Sequence, residues 1–336
     1  MNYILFGGSG FIGTHLVRLL KQELQSGDNI YVCDIVMPGE EGVVPGIVEK
    51  IEGVNYERLD VRKPIRTISA DFKATPDDVI FNLAAVHRTP GHPDYAYFET
   101  NMPGAENVTA FAAENHIRKI LFTSSIAPYG ASEQLKTEET LPTPNTPYGI
   151  SKLVAEKIHM IWQAADPARE LTILRPGIVY GKGEHGNMTR LYKGIKGHYY
   201  FYAGRKDTVK ASIYVKELVR FMKYRMIDNS FPGTEIINCT FEPAFTIEQI
   251  CSAMKAATGL TAHIPMINGT LLKTGAAIVG PIGGKKVGIH PDRVNKLMVS
   301  TNISGKKLAA SGYEFHWTLE ESFRDWFADC GNEGLF

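Results

Sequence analysis

A short apolar strand, a run of glycines and a helical pattern follow one another in ILFGGSGFIGTHLVRLL, residues 4–20. Gly7, Gly10 and Gly13 form the pattern G-x-x-G-x-x-G. Glycines at these places let the backbone turn tightly after the strand and approach a pyrophosphate, which then sits at the positive end of the helix. A purely structural turn is the alternative, because glycines between strand and helix are common. The order of the three parts favours a dinucleotide-binding unit.

The second apolar strand ends in Asp34, twenty-one residues after Gly13. A carboxylate at this place hydrogen-bonds the ribose hydroxyls of adenosine and repels a 2′-phosphate. The sequence therefore predicts binding of NAD rather than NADP. The alternative is a surface aspartate beside a structural turn.

Apolar runs rich in β-branched residues alternate with helical patterns through the first half of the chain. Continuous apolar runs are typical of strands covered on both faces, and repeated βα units favour a doubly wound parallel sheet. The predicted strands are 3–6, 30–34, 79–85, 119–125 and 171–176, with a later strand at 235–240 that rejoins the sheet. The predicted helices between them include 11–25, 95–115 and 148–165.

The chain has 336 residues, of which 44% are hydrophobic, so it can bury the core of two domains or of one large one. The fold class is predicted as α/β, a Rossmann-type doubly wound parallel sheet with a smaller, discontinuous α/β substrate domain. Residues 1–176 form the predicted NAD-binding domain, which about 205–240 rejoin. Residues 177–204 and 241–330, rich in glycine, proline and aromatic residues, form the predicted substrate-binding domain.

Charge and cysteine content exclude several classes of protein. Thirty-six basic residues balance thirty-six acidic ones, which gives no reason to expect a nucleic-acid partner. The four cysteines are scattered and predict reduced thiols and no metal site. No signal peptide is predicted, and no uncharged apolar run approaches the ~20 residues of a membrane span. A cytoplasmic protein is predicted.

The segment TPYGISKLVAEK, residues 146–157, places Tyr148 and Lys152 four residues apart. On a helix the two side chains lie on one face, one turn apart. A phenol with an ordinary pKa near ~10 is a poor base at neutral pH, but a neighbouring ammonium favours the phenolate. The spacing therefore predicts an acid/base tyrosine, with a solvated helix face as the alternative.

Seven short segments, in order, resemble the extended short-chain dehydrogenase/reductase superfamily, which includes the NAD-dependent epimerases and dehydratases. The segments span nearly the whole chain, and their order and spacing follow the family pattern. They are GGSGFIG at 7–13, LDV at 59–61, NLAA at 82–85, TSSIAPYG at 123–130, YGISK at 148–152, LRPGIVYG at 174–181 and SIYVKEL at 212–218.

The resemblance implies a role for each matching residue. Ser125 would be the catalytic hydroxyl, Tyr148 the acid/base, and Lys152 its partner and a holder of the nicotinamide ribose. The positive nicotinamide would further favour the phenolate. Beside the glycine loop and Asp34, the implied cofactor contacts are Phe11, Ile12, Asp60, Val61, Leu83, Ala84, Ala85 and Pro176.

The superfamily hosts 4-epimerases, 4,6-dehydratases, reductases, decarboxylases and steroid dehydrogenases, and fold alone does not choose between them. Its dehydratases carry an Asp-Glu pair directly after the catalytic hydroxyl, where this chain has Ile126 and Ala127. Net reductases more often use NADPH, which Asp34 disfavours. A sugar 4-epimerase is therefore predicted: oxidation to a 4-keto sugar, rotation and re-reduction. The alternatives are a sugar or steroid-like alcohol dehydrogenase or reductase, and a non-catalytic dinucleotide sensor.

Longer segments resemble bacterial polyprenyl-diphosphate N-acetylhexosamine 4-epimerases. Among them are NVTAFAAENHIRKILFTSSIAPYG at 107–130 and ELTILRPGIVYGKGEHGNMTRLYKGI at 170–195. This resemblance implies GlcNAc or GalNAc on undecaprenyl diphosphate as the substrate, in surface-polysaccharide synthesis. UDP-sugar 4-epimerases share the catalytic motifs, so a UDP carrier stays open.

Two positions bear on the diphosphate. Arg293 lies thirteen residues before Lys306, the spacing of a diphosphate-binding arginine in nucleotide-sugar epimerases. A guanidinium fork suits phosphate oxygens. Lys210, five residues before Val215, stands where those enzymes often carry a second arginine, so it keeps the charge but loses the bidentate geometry. Ordinary surface charge is the alternative for both.

Three further side chains are candidate substrate contacts. Asn187 follows the GKGEHG segment and is predicted to contact the sugar. His87 and Arg88 follow NLAA and are predicted to reach the active site or the diphosphate, with a polar loop as the alternative.

The segment LLKTGAAIVGPIGGKKVGIH, residues 271–290, is uncharged and mostly small and apolar from Thr274 to Gly284, with lysines on either side. It is too short to span a bilayer, but at the interface it could admit a prenyl tail while the lysines meet anionic headgroups. A packed helix of the substrate domain is the alternative. The resemblance also implies a homodimer.

Overall fold

The computed structural model describes residues 1–23, 25–40, 50–87, 92–229, 232–270 and 298–336. The chain forms two compact units, each built from discontinuous segments. The first unit comprises Met1–Gly130, Glu138–Pro176 and Val215–Cys239. The second unit comprises Ala131–Thr137, Gly177–Tyr214 and Thr240–Phe336.

Strands and helices alternate along most of the chain. The strands are β1 (Asn2–Phe6), β2 (Asn29–Asp34), β3 (Asn55–Arg58), β4 (Val79–Asn82), β5 (Lys119–Thr123), β6 (Ser132–Lys136), β7 (Glu170–Pro176), β8 (Ile178–Tyr180), β9 (Tyr202–Ala203), β10 (Ser212–Tyr214), β11 (Gly233–Cys239), β12 (Met266–Ile267) and β13 (Thr301–Ile303). The α-helices are α1 (Phe11–Glu23), α2 (Asp94–Glu114), α3 (Pro147–Ala164), α4 (Asn187–Lys196), α5 (Val215–Lys223), α6 (Ile247–Thr258), α7 (Lys306–Ala309) and α8 (Leu319–Asp329).

The first unit is built on a seven-stranded sheet in the order β11–β7–β5–β4–β1–β2–β3. Every pair of neighbouring strands is parallel. The six strands predicted from apolar runs all belong to this sheet, so the predicted α/β fold is confirmed. β3 was not predicted, because Asn55–Arg58 is an edge strand with polar residues and no apolar run.

Burial explains why apolar runs marked the strands. β1, β4 and β7 are buried along their whole length, since helices cover the sheet. Ile4, Phe6, Ile80, Phe122 and Ile173 belong to one hydrophobic cluster. Complete burial of such a side chain contributes about 1.5–3 kcal/mol to stability.

Helix α3 carries Tyr148 and Lys152, and local signals determine where it begins. Thr146 precedes it in an extended conformation, and its side chain accepts a hydrogen bond from the N–H of Gly149 at 3.1 Å. Pro147 occupies the first position, where a missing N–H costs nothing. α3 packs against α2. The cap therefore starts α3 at Pro147, one residue before Tyr148.

In its described residues, the second unit contains three short two-stranded parallel sheets, β10–β8, β12–β9 and β13–β6. Capping boxes begin α6 at Thr246 and α8 at Thr318. Within the ranges described above, no helix is long and apolar enough to cross a bilayer.

Candidate active site

The glycine turn after β1 is packed against the end of β4. Gly7 has φ of 76°, and a Cβ built on it would lie 2.6 Å from the Cα of Ala84. A Cβ on Gly13 would collide with the backbone of Gly8. Side chains are therefore excluded at both positions by the chain itself. An added Cβ on Gly10 meets nothing closer than the Gly7 carbonyl oxygen at 3.4 Å.

Asp34 ties the end of β2 to this turn. Its carboxylate accepts hydrogen bonds from the N–H of Ser9 at 3.0 Å and from the N–H of Val36 at 3.2 Å. Burial raises the pKa of the Asp34 carboxyl, although these backbone bonds oppose the shift. The carboxylate thus lies beside the glycine loop.

The order in which the chain adds strands to the sheet reverses between β1 and β4. The chain proceeds from β1 to β2 and β3 on one side, and through β4, β5, β7 and β11 on the other. Open α/β sheets bind ligands beyond the carboxyl ends of the strands at such a switch point. The partly buried residues Leu83, Ala84 and Ala85 follow β4 at this edge, and Pro176 ends β7 there.

Ser125 and Tyr148 are brought together by the end of β5 and the first turn of α3. Their side chains are hydrogen-bonded to each other. The Oγ of Ser125 also accepts from the N–H of Ala127 at 3.1 Å. Burial raises the pKa of Tyr148, and the bond with Ser125 only partly offsets it. Because burial dominates, the pKa of the phenol is raised, where the sequence predicted that the neighbouring lysine would lower it.

Lys152 lies one turn further along α3, with only 2% of its surface exposed. Its Nζ donates to the carbonyl oxygen of Thr123 at 2.6 Å and lies 4.3 Å from the centre of the Phe122 ring. Burial lowers the pKa of Lys152 to about 7, and the negative charge of Glu156 opposes this shift. A backbone carbonyl and an aromatic face thus hold the amine in place.

A buried ion pair lies one helical turn beyond Lys152 on α3, and it was not predicted from the sequence. The guanidinium of Arg175 donates to the two carboxylate oxygens of Glu156 at 2.9 and 2.6 Å. Arg175 also donates to the hydroxyl of Tyr129 at 2.6 Å, and that hydroxyl donates to Asn238 at 3.0 Å. Burial alone would lower the pKa of Arg175, but the bonds to Glu156 outweigh it and raise the pKa. The available signals were an arginine inside an apolar strand and a glutamate four residues after Lys152.

A second buried polar contact joins α3 to β4. Nε2 of His159 lies 3.2 Å from Nδ2 of Asn82, and Nδ1 of His159 lies 2.7 Å from the carbonyl oxygen of Ala155. The ring stacks on Phe122 with centroids 4.2 Å apart. Burial lowers the pKa of His159 to about 4, and the positive charge of Lys152 adds to this effect. The imidazole is therefore neutral at pH 7.

Asn101 of α2 fixes the loop after β4. Its side chain accepts from the N–H of Val86 at 2.8 Å and donates to the Val86 carbonyl oxygen at 3.1 Å and to the Ser151 hydroxyl at 2.9 Å. Asn101 is buried and was also not predicted. These bonds attach the loop that contains Leu83–Ala85 to α2, and they attach α2 to α3.

Two predicted adenine-side residues have partners within the chain. The carboxylate of Asp60 forms an ion pair with Arg62 at 2.7 Å. The side chain of Val61 is buried in the hydrophobic cluster of the first unit, 3.1 Å from where a Cβ on Gly104 would lie. Val61 thus packs against the core.

The predicted substrate contacts are distributed over both units. His87 is exposed in the first unit. In the second unit, Asn187 is exposed and accepts from Arg190 at 2.8 Å. Nζ of Lys210 donates to the carbonyl oxygen of Val299 at 2.8 Å, and burial lowers the pKa of Lys210 to about 8.

Three further predictions fall outside the described residues. They are Arg88, Arg293 and the segment 271–290. Among the residues that are described, no group of three or more His, Cys, Asp or Glu side chains is arranged to hold a metal ion.

Comparison with curated proteins gives a full-length match. The chain is 29% identical, over 95% of its own length and 92% of the relative's, to an N-acetyl-alpha-D-glucosaminyl-diphospho-ditrans,octacis-undecaprenol 4-epimerase of Escherichia coli. It is also 26% identical to a UDP-glucose 4-epimerase of Neisseria meningitidis, over 77% of this chain and 83% of that protein.

Comparison with solved structures supports the same fold. A UDP-glucuronic acid 4-epimerase from Bacillus cereus, solved in complex with NAD, superposes with a TM-score of 0.72 at 18% identity and covers 98% of this chain and 99% of its own. The model of the NAD dependent epimerase/dehydratase family matches residues 3–239, which confirms the resemblance drawn from the motifs. The chain belongs to the NAD dependent epimerase/dehydratase family.

Proposed function

We propose that this chain is an NAD-dependent sugar 4-epimerase that interconverts GlcNAc and GalNAc on a diphosphate carrier. The observation that carries the proposal is the arrangement of Ser125, Tyr148 and Lys152 at the edge of the sheet where the strand order reverses. Ser125 and Tyr148 are hydrogen-bonded, and Lys152 is anchored one helical turn away. The full-length relative from Escherichia coli supports the reaction and the sugar.

NAD, the cofactor of the family, fits the glycine loop and Asp34. Packing within the chain requires glycine at positions 7 and 13, but a Cβ on Gly10 would contact nothing closer than 3.4 Å. A pyrophosphate against the loop explains why Gly10 is also glycine, since a side chain there would block its approach. The Asp34 carboxylate would hold the adenosine ribose. Bound NAD supplies the acceptor and donor of hydride.

Within the chain, the chemistry depends on moving one proton. Tyr148 takes the proton from the C4 hydroxyl of the sugar during oxidation and returns it after the 4-keto sugar has rotated. Ser125 donates a hydrogen bond to the same oxygen. The positive ammonium of Lys152, held by Thr123 and Phe122, stabilises the phenolate that burial otherwise disfavours.

The loop after Ser125 favours epimerisation over dehydration. Elimination of water needs an acid and a base next to the sugar, and positions 126 and 127 carry isoleucine and alanine. The nearby carboxylate of Glu156 is buried and bound by Arg175 and Ser124. It is therefore not placed to act on a substrate.

The proposed carrier is undecaprenyl diphosphate, with UDP as the alternative. The full-length relative acts on the undecaprenol-linked sugar, whereas other relatives are UDP-glucose 4-epimerases. We place the protein in the cytoplasm, at the inner face of the membrane, with residues 271–290 as the contact. In this location it would serve surface-polysaccharide synthesis, and Lys210 and Arg293 would meet the diphosphate.

We also infer a homodimer, which exposed apolar side chains on α2 and α3 support. Tyr95 is 62% exposed and Ile161 is 72% exposed, and the two helices pack against each other. Sedimentation of the wild-type chain and of Ile161→Glu tests this inference. A dimer that dissociates in the variant supports it, and a wild-type monomer at micromolar concentration refutes it.

The function is tested by incubating pure protein, without added cofactor, with GlcNAc-diphosphoundecaprenol and separately with UDP-GlcNAc. The sugar released by mild acid is then identified. GalNAc from the lipid substrate alone supports the undecaprenyl carrier, and GalNAc from UDP-GlcNAc supports the alternative. Formation of neither, even with NAD supplied, contradicts the proposal. Tyr148→Phe is the inactive control.

A further inference from the structure

Three consecutive residues at the end of β5 each bond a different residue of one stripe on α3. The carbonyl oxygen of Thr123 accepts from Lys152 at 2.6 Å, and the hydroxyl of Ser125 bonds Tyr148. Between them, the hydroxyl of Ser124 donates to the carboxylate of Glu156 at 2.5 Å. The stripe repeats every four residues, so it lies on one face of the helix. Two of the three contacts hold residues of the proposed mechanism, and the third holds a residue that the mechanism does not use.

The third contact is buried and rigidly supported. Glu156 and Arg175 are 0% and 2% exposed, and two hydrogen bonds join the guanidinium to the carboxylate. A bidentate pair of this kind fixes the orientation of the carboxylate as well as its charge. Arg175 lies on β7, the neighbour of β5 in the sheet. The backbone N–H of Ser124 also donates to Leu174 of β7 at 2.7 Å.

We propose that Glu156 is a positioning residue for the reaction. Its carboxylate, oriented by Arg175, holds Ser124 and thereby keeps the Thr123 carbonyl and the Ser125 hydroxyl in register with Lys152 and Tyr148. Glu156 touches neither sugar nor cofactor. This role rests on the proposed function, because it concerns the placement of the same triad.

A purely structural ion pair is the competing explanation. Buried ion pairs contribute little net stability compared with apolar residues of similar volume, whereas removing one partner is strongly destabilising. Glu156→Gln alone would leave Arg175 buried without its carboxylate, so loss of activity in that variant would not separate positioning from misfolding. Ser124→Ala separates them, because it removes only the hydroxyl and leaves the pair intact.

The experiment compares Ser124→Ala with Ser322→Ala, a matched control in the second unit. Ser322 is also fully buried, and its hydroxyl lies 2.5 Å from the hydroxyl of Tyr180. Two quantities are measured for each: kcat and KM for the sugar substrate, and hydrogen exchange of the backbone amides of residues 123–130. The exchange measurement needs no turnover.

We expect Ser124→Ala to lower kcat roughly tenfold with KM within about twofold, since small misplacement of reacting groups mainly affects the chemical step. Exchange over 123–130 should be faster in Ser124→Ala and unchanged in Ser322→Ala. Equal kcat in Ser124→Ala and wild type would overturn the proposal.

If the wild-type chain converts no sugar, the proposed function has failed, and the exchange result alone decides whether Glu156 and Ser124 position residues 123–130. Faster exchange in Ser124→Ala then supports this positioning role, and unchanged exchange overturns it. The double variant Glu156→Met/Arg175→Leu gives an independent check. It removes both charges together, and it should keep the wild-type unfolding midpoint while losing at least as much kcat as Ser124→Ala.

Discussion

His159 should make the protein less stable in mild acid. The neutral ring is buried, its Nε2 accepts from Asn82, and its Nδ1 donates to Ala155. Protonation would place a charge in this apolar setting and turn Nε2 into a donor that faces the amide donor of Asn82. The pKa therefore falls from 6.5 to about 4 on folding.

The size of the effect follows from this shift. Because the unfolded chain binds the proton at the higher pKa, it holds more protons between about pH 6.5 and 4, so stability falls as the pH falls through this window. Each state has a proton-binding factor set by its own His159 pKa. When the pH is lowered from 7.5 to 5, the ratio of the unfolded chain's factor to the folded chain's factor rises about 30-fold, which corresponds to a loss of about 2 kcal/mol of stability. Below pH 4 both states are protonated and this contribution is constant.

His159→Gln is the matched variant, because glutamine can donate and accept hydrogen bonds but does not ionise. Urea unfolding of both proteins is measured at pH 7.5 and pH 5, followed by circular dichroism. We expect the wild type to lose about 2 kcal/mol more than the variant over this interval. Other groups, including Lys152, titrate in both proteins and cancel in the comparison. Equal losses would refute the account of His159.

The remaining predictions concern the site itself. Tyr148→Phe should lower kcat by roughly 10²–10⁴-fold with little change in NAD affinity or unfolding midpoint, because only the transferred proton is lost. A kcat within tenfold of wild type would contradict the assignment of Tyr148 as the acid/base. Lys152→Met should abolish turnover yet raise the unfolding midpoint at pH 7, because it removes a buried charge. The lowering of the Lys152 pKa from 10.5 to about 7 corresponds to a penalty of at most about 5 kcal/mol for that charge. If wild-type stability did not rise with pH between about 7 and 10.5, this reasoning would be wrong. Gly7→Ala should destabilise the fold and release NAD, because its Cβ would lie 2.6 Å from Ala84. The control Gly27→Ala, at φ of 96° with open space around it, should lower the free energy of unfolding by only about 1 kcal/mol. Equal effects of the two variants would refute the packing argument. Asp34→Asn should weaken NAD binding about tenfold and narrow its preference over NADP, as measured by titration.

The fold could be predicted because its physical causes are local. Strands covered on both faces need continuous apolar runs, and Asn2–Phe6 and Val79–Asn82 carry them. Glycine at position 7 is required by the approach of Ala84, so its place in the motif was informative. β3 escaped prediction because an edge strand such as Asn55–Arg58 needs no apolar run.

The candidate triad could be predicted, but its environment could not. Spacing placed Tyr148 and Lys152 on one face of α3, but it did not show that the ammonium contacts Thr123 and Phe122 or that burial raises the pKa of the phenol. These facts depend on contacts between α3 and β5, which lie far apart in sequence.

The ion pair of Glu156 and Arg175 was missed for the same reason. Nineteen residues separate the two partners, and no local pattern pairs them. The glutamate does stand one turn after Lys152, which in retrospect places it on the buried face of α3.

Transfer of the C4 hydrogen tests the central claim most directly. A substrate deuterated at C4 is converted in ordinary water, and the epimer is analysed by mass spectrometry together with the absorbance of NADH at 340 nm. If the same sugar is oxidised and re-reduced at one site, the epimer keeps its deuterium and NADH does not accumulate. Loss of deuterium to solvent would show proton abstraction at C4 in place of hydride transfer and would contradict this account. NADH rising with turnover would also contradict a 4-epimerase and would favour net dehydrogenation.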